Sequence, residues 1–273
     1  MTADTPFIVM SAPTGARRGK ADHAGIPLTP RELVNDAQAI LDAGASLLHL
    51  HVRDGAGEHT LDPDCYRAAI SAVREQVGDR LVIQVTTEAC GVYSPAEQMA
   101  IVKELKPEAV SIALRELVPE PDDLDEAAGF FQWLRSNEVM PQYILYSPDE
   151  VKWFEHLRRR EIFDHELPFV LFVIGRYGTN EYGDPADIDE YCTGLGDERI
   201  PWAVCCFGPR EDEASIVAAA AGGHARVGFE NNLLLPDGSE APDNAALVRL
   251  AAEHAPVAGR RIATADDVRE LFA

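Results

Sequence analysis

Short apolar runs alternate with longer amphipathic segments along the chain. Several of the runs are rich in β-branched residues and apolar nearly throughout, which is typical of strands buried on both faces of a sheet. We predict strands at residues 7–12, 46–52, 81–86, 109–114, 142–146, 168–174, 202–207 and 224–229. We predict helices at residues 30–43, 63–77, 95–105, 123–136, 148–159, 186–195, 211–221, 243–254 and 265–272.

Four of the predicted helices begin at a proline that follows a capping side chain. The four pairs are Thr29-Pro30, Asp62-Pro63, Ser94-Pro95 and Ser147-Pro148. Proline suits the first helical position because its φ angle is already helical and its missing N–H would have no partner there. Strands that alternate with helices over 273 residues predict a single (β/α)8 TIM-barrel domain spanning residues 1–273. The alternative is an open Rossmann-like sheet, which is weakened because no GxGxxG follows a predicted strand.

The charge and the apolar content exclude some partners. Lysine and arginine total 24 against 46 acidic residues, a formal charge of −22, whereas a nucleic-acid partner calls for a basic surface. No apolar run approaches the roughly 20 residues that span a bilayer, so we expect no membrane association. The N-terminal segment lacks the pattern of a signal peptide, and the five cysteines form no CxxC pair. These features favour a cytoplasmic location.

His49 and His51 end the second predicted strand, and the ends of barrel strands are where function gathers. Residues i and i+2 of a strand point to the same face, so both imidazoles project into the barrel mouth and can share one metal ion. Glu230 ends the last predicted strand, beside the first, and completes a two-histidine, one-carboxylate set with an open position. The alternative is two hydrogen-bonded histidines in a polar layer and an ordinary loop acid.

Two further strand ends carry polar candidates. Arg226 precedes Glu230 by four positions, so we place it inside the barrel, one layer deeper. There it can clamp a substrate carboxylate or stabilise an oxyanion. Thr86 and Thr87 can donate hydrogen bonds to a substrate oxygen, and Glu88 can carry a proton. The alternatives are a structural ion pair for Arg226 and a solvated turn acid for Glu88.

The remaining candidates are residues that can line a substrate pocket. Thr14 lies in the turn after the first predicted strand, and Arg115 and Tyr146 end the fourth and fifth. Tyr177 follows the sixth. Arg115 can reach an anionic substrate, although a surface salt bridge is equally consistent with its position, and Tyr146 can serve packing alone.

The segments SAPTGARRGK, HLHVRDGAG, QVTTEA and HARVGFENNLLLPDG, followed by GRRIAT, resemble the β-keto acid cleavage enzymes. This family is related to the 3-keto-5-aminohexanoate cleavage enzyme of lysine fermentation. The resemblance covers nearly the whole chain in the family's order, and the HxH and RVGxE motifs make it specific. It implies a zinc-dependent barrel enzyme, usually a homotetramer, that uses acetyl-CoA as co-substrate.

The reaction that the resemblance implies is the condensation of a β-keto acid with acetyl-CoA. Migration of CoA and a retro-Claisen cleavage then release acetoacetate and a new acyl-CoA, while zinc stabilises the developing negative charge as a Lewis acid. The motif match makes His49, His51 and Glu230 the zinc ligands. It makes Arg226 the catalytic arginine and Thr86 a hydroxyl residue that contacts the substrate.

The sequence departs from the family's pattern at two places. Asn231, which remains a substrate-binding candidate, replaces an aspartate that takes part in proton transfer, and an amide cannot accept a proton at neutral pH. We hypothesise that Glu88 supplies this acid–base function, because a carboxylate is lost at one strand end and gained at another. Thr14 stands where the aminohexanoate enzyme carries an acid for its substrate's ammonium group. A basic amino substrate is therefore less favoured, unless another acid substitutes.

Two other functions remain open. Barrel hydrolases also carry HxH, but on their first strand and with further histidines on later ones. Here His156, His165 and His254 fall in predicted helices or loops, and His224 begins its strand. A non-catalytic metal- or metabolite-binding barrel is favoured by Asn231 alone. Two histidines and one glutamate also admit manganese or iron in place of zinc.

Overall fold

Parallel strands form the centre of the computed structural model, which describes residues 5–118, 124–163, 167–175, 182–197 and 199–271. The strands are β1 Val9–Ser11, β2 Leu47–Leu50, β3 Val52–Arg53, β4 His59–Thr60, β5 Val82–Thr86, β6 Ala109–Ala113, β7 Met140–Leu145, β8 Phe169–Ile174, β9 Trp202–Cys206 and β10 His224–Val227. Eight of them pair in the order β1-β10-β9-β8-β7-β6-β5-β2, and β1 also pairs with β2, so the sheet closes. The predicted TIM barrel is confirmed, and an open Rossmann-like sheet is excluded.

Helices lie between the barrel strands along the chain. They are α1 Pro30–Ala43, α2 Pro63–Val77, α3 Pro95–Leu105, α4 Leu114–Leu117, α5 Leu124–Ser136, α6 Pro148–Arg159, α7 Ile188–Leu195, α8 Glu211–Ala221, α9 Asn244–Val257 and α10 Ala265–Glu270. The four proline starts are confirmed, each with its predicted capping side chain. At Thr29 and Ser94 the cap is a reciprocal capping box, which satisfies backbone N–H groups that the helix leaves without partners.

Alternate residues of the barrel strands contribute to two apolar layers. An inner cluster fills the barrel and an outer cluster packs between the strands and the helices. The adjacent cysteines of β9 illustrate the alternation, since Cys205 belongs to the inner cluster and Cys206 to the outer one. Their predicted opposite orientations are confirmed, and all five cysteines are free thiols.

The chain departs from the predicted elements where strands end. After β2, strands β3 and β4 form a separate antiparallel hairpin, so His51 lies just beyond the barrel strand. After β6 the one-turn helix α4 begins, so Arg115 lies on a helix and not at a strand end. Strand β10 ends at Val227, because Gly228 adopts a φ angle of 135° and turns the chain. Hydrophobic periodicity does not reveal such turns.

Two residues named in the sequence analysis lie outside the described residues. They are His165, placed in a helix or loop, and Tyr177, a candidate for the pocket lining. Within the ranges that are described, no helix combines the length and the apolar character needed to cross a membrane.

Candidate metal and substrate site

Three buried side chains converge at the mouth of the barrel. Nε2 of His49 lies 3.1 Å from Nε2 of His51. Both nitrogens face Oε2 of Glu230, at 3.6 Å from His49 and 3.4 Å from His51. All three side chains are at most 7% exposed. Across the described part of the chain, this is the group of histidine and acidic residues whose potential ligand atoms all lie within 4.8 Å of one another.

The geometry of these three residues fits a divalent cation. Ligand atoms around a tetrahedral zinc ion lie roughly 3.3 Å apart, because each bond to nitrogen is about 2.0–2.1 Å long. Nδ1 of His49 lies 2.8 Å from the accepting Oε1 of Gln84, so Nδ1 carries the proton and Nε2 presents its lone pair to the shared point. Burial lowers the pKa of His49 to about 3, so the imidazole is in the neutral form that binds metals.

A polar layer inside the barrel supports His49. The Gln84 amide donates to Oε1 of Gln142 across 3.1 Å, and the Gln142 amide lies 3.6 Å from the sulfur of Met10. These contacts link β5, β7 and β1 through the barrel interior. The orientation of the His49 ring is therefore fixed by side chains from other strands, an arrangement typical of metal-binding histidines.

Arg226 lies against the same carboxylate. Its Nη2 is 3.1 Å from Oε1 of Glu230, and 3.3 Å from both Sγ of Cys205 and Oδ1 of Asn231. Burial opposes ionisation of Glu230, but the Arg226 charge and then the two histidines hold the pKa of this carboxyl well below its usual range. Burial likewise opposes the charge of Arg226, while Cys205 and Glu230 keep the pKa of the guanidinium above its usual value. Both side chains are therefore ionised.

A tight turn after β10 sets the position of Glu230. A Cβ atom at Gly228 would lie 2.6 Å from the carbonyl oxygen of Ala12, so this position requires glycine. The backbone N–H of Glu230 donates to the same Ala12 oxygen, across 3.0 Å. Behind the turn, Oε1 of Glu211 accepts from the N–H of Gly228, and burial raises the pKa of Glu211 to about 8. Glu230 is thus held by the backbone just beyond the ends of β1 and β10.

An open cavity of about 140 Å³ lies beside the three candidate ligands. Its lining contains two of the candidate ligands, several hydroxyl groups, apolar side chains, and charged side chains that form its rim. The lining residues are Arg17, His49, Thr86, Glu88, Ser111, Ala113, Arg115, Glu116, Ile144, Tyr146, Val173, Phe207, Arg226 and Glu230. Seven of these were site candidates from the sequence, so residues from distant segments meet in one cavity.

The charged side chains at the rim of the cavity each contact another group of the protein. Nε of Arg17 lies 3.9 Å from Oε1 of Glu88, whose side chain is 22% exposed. The Arg115 guanidinium lies 3.6 Å from the centre of the Tyr146 ring. Oε2 of Glu116 accepts from the N–H of Ala89 across 3.0 Å. Both signs of charge therefore meet at the outer end of the cavity.

Three substrate-binding candidates fall outside the cavity lining. The Thr14 hydroxyl donates to the carbonyl of Pro27 across 2.8 Å, and the Thr87 hydroxyl donates to the carbonyl of Ser111 across 3.0 Å. The Asn231 side chain lies behind Arg226 and donates to that residue's backbone carbonyl across 3.1 Å. These groups support the backbone around the site, and a direct contact with substrate stays a prediction for each of them.

Sequence reasoning missed several residues of the site, including four polar ones that support or line it. Gln84 and Ser111 are polar positions on apolar strands and share the inward parity of Thr86 and Ala113, a signal that would have identified them. Glu116 and Glu211 carry no such signal, because each reaches the site through a contact with a distant loop backbone.

Comparison with known proteins identifies the family. A sequence model of the beta-keto acid cleavage enzyme family matches residues 6–273. The chain is 27% identical to the 3-keto-5-aminohexanoate cleavage enzyme of Fusobacterium nucleatum over 271 residues, which cover 97% of each protein. It is 25% identical over 276 residues to the 3-oxoadipate:acetyl-CoA acetyltransferase of Cupriavidus necator, covering 98% of this chain and 94% of that protein.

A solved structure shares the fold. The apo structure of ObcA matches with a TM-score of 0.70 at 18% identity, over 91% of this chain and 65% of that chain. This chain thus spans about 65% of the length of ObcA, and the likeness concerns the barrel fold alone. The family match, by contrast, extends over nearly the whole sequence. The chain therefore belongs to the beta-keto acid cleavage enzyme family.

Proposed function

We propose that this enzyme cleaves a β-keto acid with acetyl-CoA as co-substrate and releases acetoacetate and a new acyl-CoA. The observation that carries the proposal is the meeting of a buried metal-ligand set with Arg226 at the inner end of one cavity. The curated relative named as an acetyl-CoA acetyltransferase supports the same class of co-substrate.

The proposed reaction exchanges one carbon–carbon bond for another. A base removes a proton from C2 of the β-keto acid, and C2 bonds to the acetyl carbonyl carbon as the CoA thiolate leaves. The thiolate adds to the original 3-oxo carbon, the bond from that carbon to C2 breaks, and the proton returns to C2. The acetyl group ends in acetoacetate and the substrate's acyl group ends on CoA, so atoms and electrons balance.

We propose His49, His51 and Glu230 as the ligands of a divalent cation, which supplies Lewis-acid stabilisation of negative charge on the substrate's oxygens. The choice of zinc comes from the family resemblance, since the same donors suit manganese and iron. The burial of all three side chains and the proton on Nδ1 of His49 support the assignment.

We propose that Arg226 binds the carboxylate of the β-keto acid. Its Nη2 is engaged by Glu230, Cys205 and Asn231, whereas its Nε has no hydrogen-bond partner among the described residues. A buried N–H without a partner is costly, and a substrate oxygen would satisfy it. The guanidinium also lines the cavity, so a bound carboxylate can reach it.

We propose Glu88 as the base that takes the C2 proton and returns it. The Thr86 hydroxyl accepts from the N–H of Glu88 across 3.0 Å and fixes the turn that carries this side chain. Glu88 and Thr86 both line the cavity, whereas Asn231 lies behind Arg226. Thr86 is in turn the proposed hydroxyl contact to the substrate.

We also propose that the enzyme assembles as a homotetramer, as the family resemblance implies, and that it lies in the cytoplasm, as its composition and cysteine pattern favour. A metal-dependent hydrolase is the less favoured alternative, because the family match points to cleavage with acetyl-CoA.

The proposal is tested by mass spectrometry of CoA products. Metal-loaded protein is incubated with acetyl-CoA and a panel of β-keto acids, and its metal content is recorded. We expect a new acyl-CoA together with acetoacetate for at least one acid. Metal-loaded protein that forms neither product from any panel member would contradict the proposal.

A further inference from the structure

Asn231 contacts Arg226 with both the oxygen and the nitrogen of its side-chain amide. Oδ1 accepts from Nη2 of the Arg226 guanidinium across 3.3 Å, and Nδ2 donates to the backbone carbonyl of Arg226 across 3.1 Å. A guanidinium only donates and a carbonyl only accepts, so the two contacts fix the orientation of the amide. Asn231 is fully buried, and its backbone N–H donates to the carbonyl of Gly228 across 2.8 Å. The amide is therefore held in one place behind the arginine.

Glu211 lies on the nitrogen side of the same amide. Oε1 of Glu211 faces Nδ2 of Asn231 at 3.4 Å and also accepts from the backbone N–H of Gly228 across 3.1 Å. Glu211 is buried on α8, whereas Asn231 follows the turn after β10. The amide nitrogen thus faces two acceptors from different parts of the chain, the Arg226 carbonyl and a Glu211 oxygen.

The contact with Asn231 is one of three that hold the Arg226 guanidinium. Nη2 of this guanidinium has three acceptors around it at 3.1–3.3 Å, which are Oδ1 of Asn231, Oε1 of Glu230 and Sγ of Cys205. Nε has no hydrogen-bond partner among the described residues and is the atom proposed to meet the substrate's carboxylate. The contacts at Nη2 therefore decide where Nε lies.

We propose that Asn231 is a positioning residue for Arg226, and that this position requires an amide because a donor lies on one side of it and acceptors lie on the other. An aspartate would accept from the guanidinium, but its second oxygen would face the Arg226 carbonyl and the Glu211 oxygen with no hydrogen to share. Asn231 thus has a role that an aspartate would not fill in this chain. This inference rests on the proposed function, in which Arg226 binds the substrate's carboxylate.

The test compares the binding of two small ligands, acetoacetate and acetoacetamide, to metal-loaded protein by titration calorimetry. Acetoacetamide has the same carbon skeleton but lacks the carboxylate, so it reports on the metal and the cavity without the charge that Arg226 would bind. We expect the wild-type protein to bind acetoacetate at least about tenfold more tightly, as one charge-assisted hydrogen bond would give. Equal affinities for the two ligands would overturn the inference.

Two variants separate positioning from packing. Asn231→Ala removes both contacts with Arg226, and Asn231→Asp keeps the size and the acceptor but replaces the donor by an oxygen. Each should weaken acetoacetate binding about tenfold and change acetoacetamide binding by less than about twofold, because only the carboxylate depends on the guanidinium. Asn35→Asp, at an exposed position of α1, is the matched control and should leave both affinities unchanged.

The two variants also give the results that would overturn the assignment. Equal losses for both ligands would show a role in packing alone. Wild-type affinity for acetoacetate in Asn231→Ala would show that the arginine needs no support from this side chain. Wild-type affinity in Asn231→Asp would show that the position does not require an amide.

A crystal structure of Asn231→Ala tests the position of the guanidinium without any ligand. We expect Nη2 of Arg226 to shift by about 1 Å or more from its wild-type place, a displacement large enough to impair catalysis. An unmoved guanidinium would overturn the inference. These measurements do not require turnover, so they separate the two proposals. If the binding and the shift are as expected but no β-keto acid yields an acyl-CoA, the proposed function alone fails.

Discussion

The two ends of the cavity are built from the same residue types in different ways. At the inner end His49, His51 and Glu230 are at most 7% exposed and are held by a turn and by a layer of glutamines. At the outer end the Arg17 and Arg115 side chains are 56% and 40% exposed. The side chains of the inner end are therefore held in one arrangement, whereas the arginines of the outer end are open to solvent.

Two glutamates, Glu230 at the inner end and Glu116 at the outer end, also differ in their surroundings. Glu230 is buried, yet the charge of Arg226 and the two histidines keep its pKa low, so it remains an anionic ligand. Burial and Glu88 raise the pKa of Glu116, which has only weak positive compensation. Burial disfavours the charged form of both glutamates, and the pKa of Glu230 is low because the guanidinium of Arg226 lies beside it.

The largest effect should follow loss of a metal ligand. We expect His49→Ala to remove the bound metal and to lower kcat/KM at least about a thousandfold, since Lewis-acid stabilisation contributes several kcal/mol. Metal content by elemental analysis and acyl-CoA formation are the measurements. His254→Ala, which removes a histidine paired with Asp212 on α8, serves as the control. Full activity in metal-free His49→Ala would refute the assignment.

Replacement of the Arg226 guanidinium by an ammonium group should have the next largest effect. We expect Arg226→Lys to lower kcat/KM by roughly a hundredfold to a thousandfold, because an ammonium group cannot reproduce the planar set of donors. Arg31→Lys, at an exposed position of α1, is the matched control. Wild-type kcat/KM in Arg226→Lys would show that the arginine does not contact the reacting groups.

A smaller loss is expected for Glu88, the proposed base. Glu88→Gln keeps the size of the side chain but removes its capacity to take a proton, so kcat should fall about a hundredfold. The metal content should be unchanged, which separates this variant from His49→Ala. Glu75→Gln, an exposed change on α2, controls for the substitution itself. Full turnover in Glu88→Gln would place the base elsewhere.

The smallest expected effect is on the stability of the protein. It comes from Glu211, the buried acid behind the turn that carries Glu230. Burial raises the pKa of Glu211 from 4.5 to about 8, so the folded protein holds this proton over a range in which the unfolded chain has released it. Stability should therefore fall as the pH rises through this window, and Glu211→Gln should remove that part of the slope. The melting temperature across the window is the measurement. Identical slopes in the two proteins would contradict the prediction.

The fold was predictable because each of its signals is local. Apolar runs gave the barrel strands, and pairs such as Thr29-Pro30 gave the helix starts. His49 and His51 were predictable from strand parity. Arg226 and Glu230 were predicted to share one face of a strand, but the strand ends at Val227, and the two side chains meet through the turn at Gly228.

The contacts that hold the site residues in place were less predictable. Gln84 could have been identified from its inward parity, but nothing local connects it to Gln142, which lies 58 residues away. Glu211 contacts a backbone 17 residues away, and Glu116 contacts one 27 residues away. Such contacts depend on how loops close after the strands, and the periodicity of the sequence contains no information on loop closure.

The most direct test of the account follows the acetyl group. Wild-type enzyme loaded with metal is given its β-keto acid and acetyl-CoA in which both acetyl carbons carry a heavy isotope. We predict that the label appears in the terminal two carbons of acetoacetate, at the keto end, and that the acyl group of the new CoA ester is unlabelled. Label in free acetate, or in the acyl group of the new CoA ester, would contradict the proposed exchange of carbon–carbon bonds.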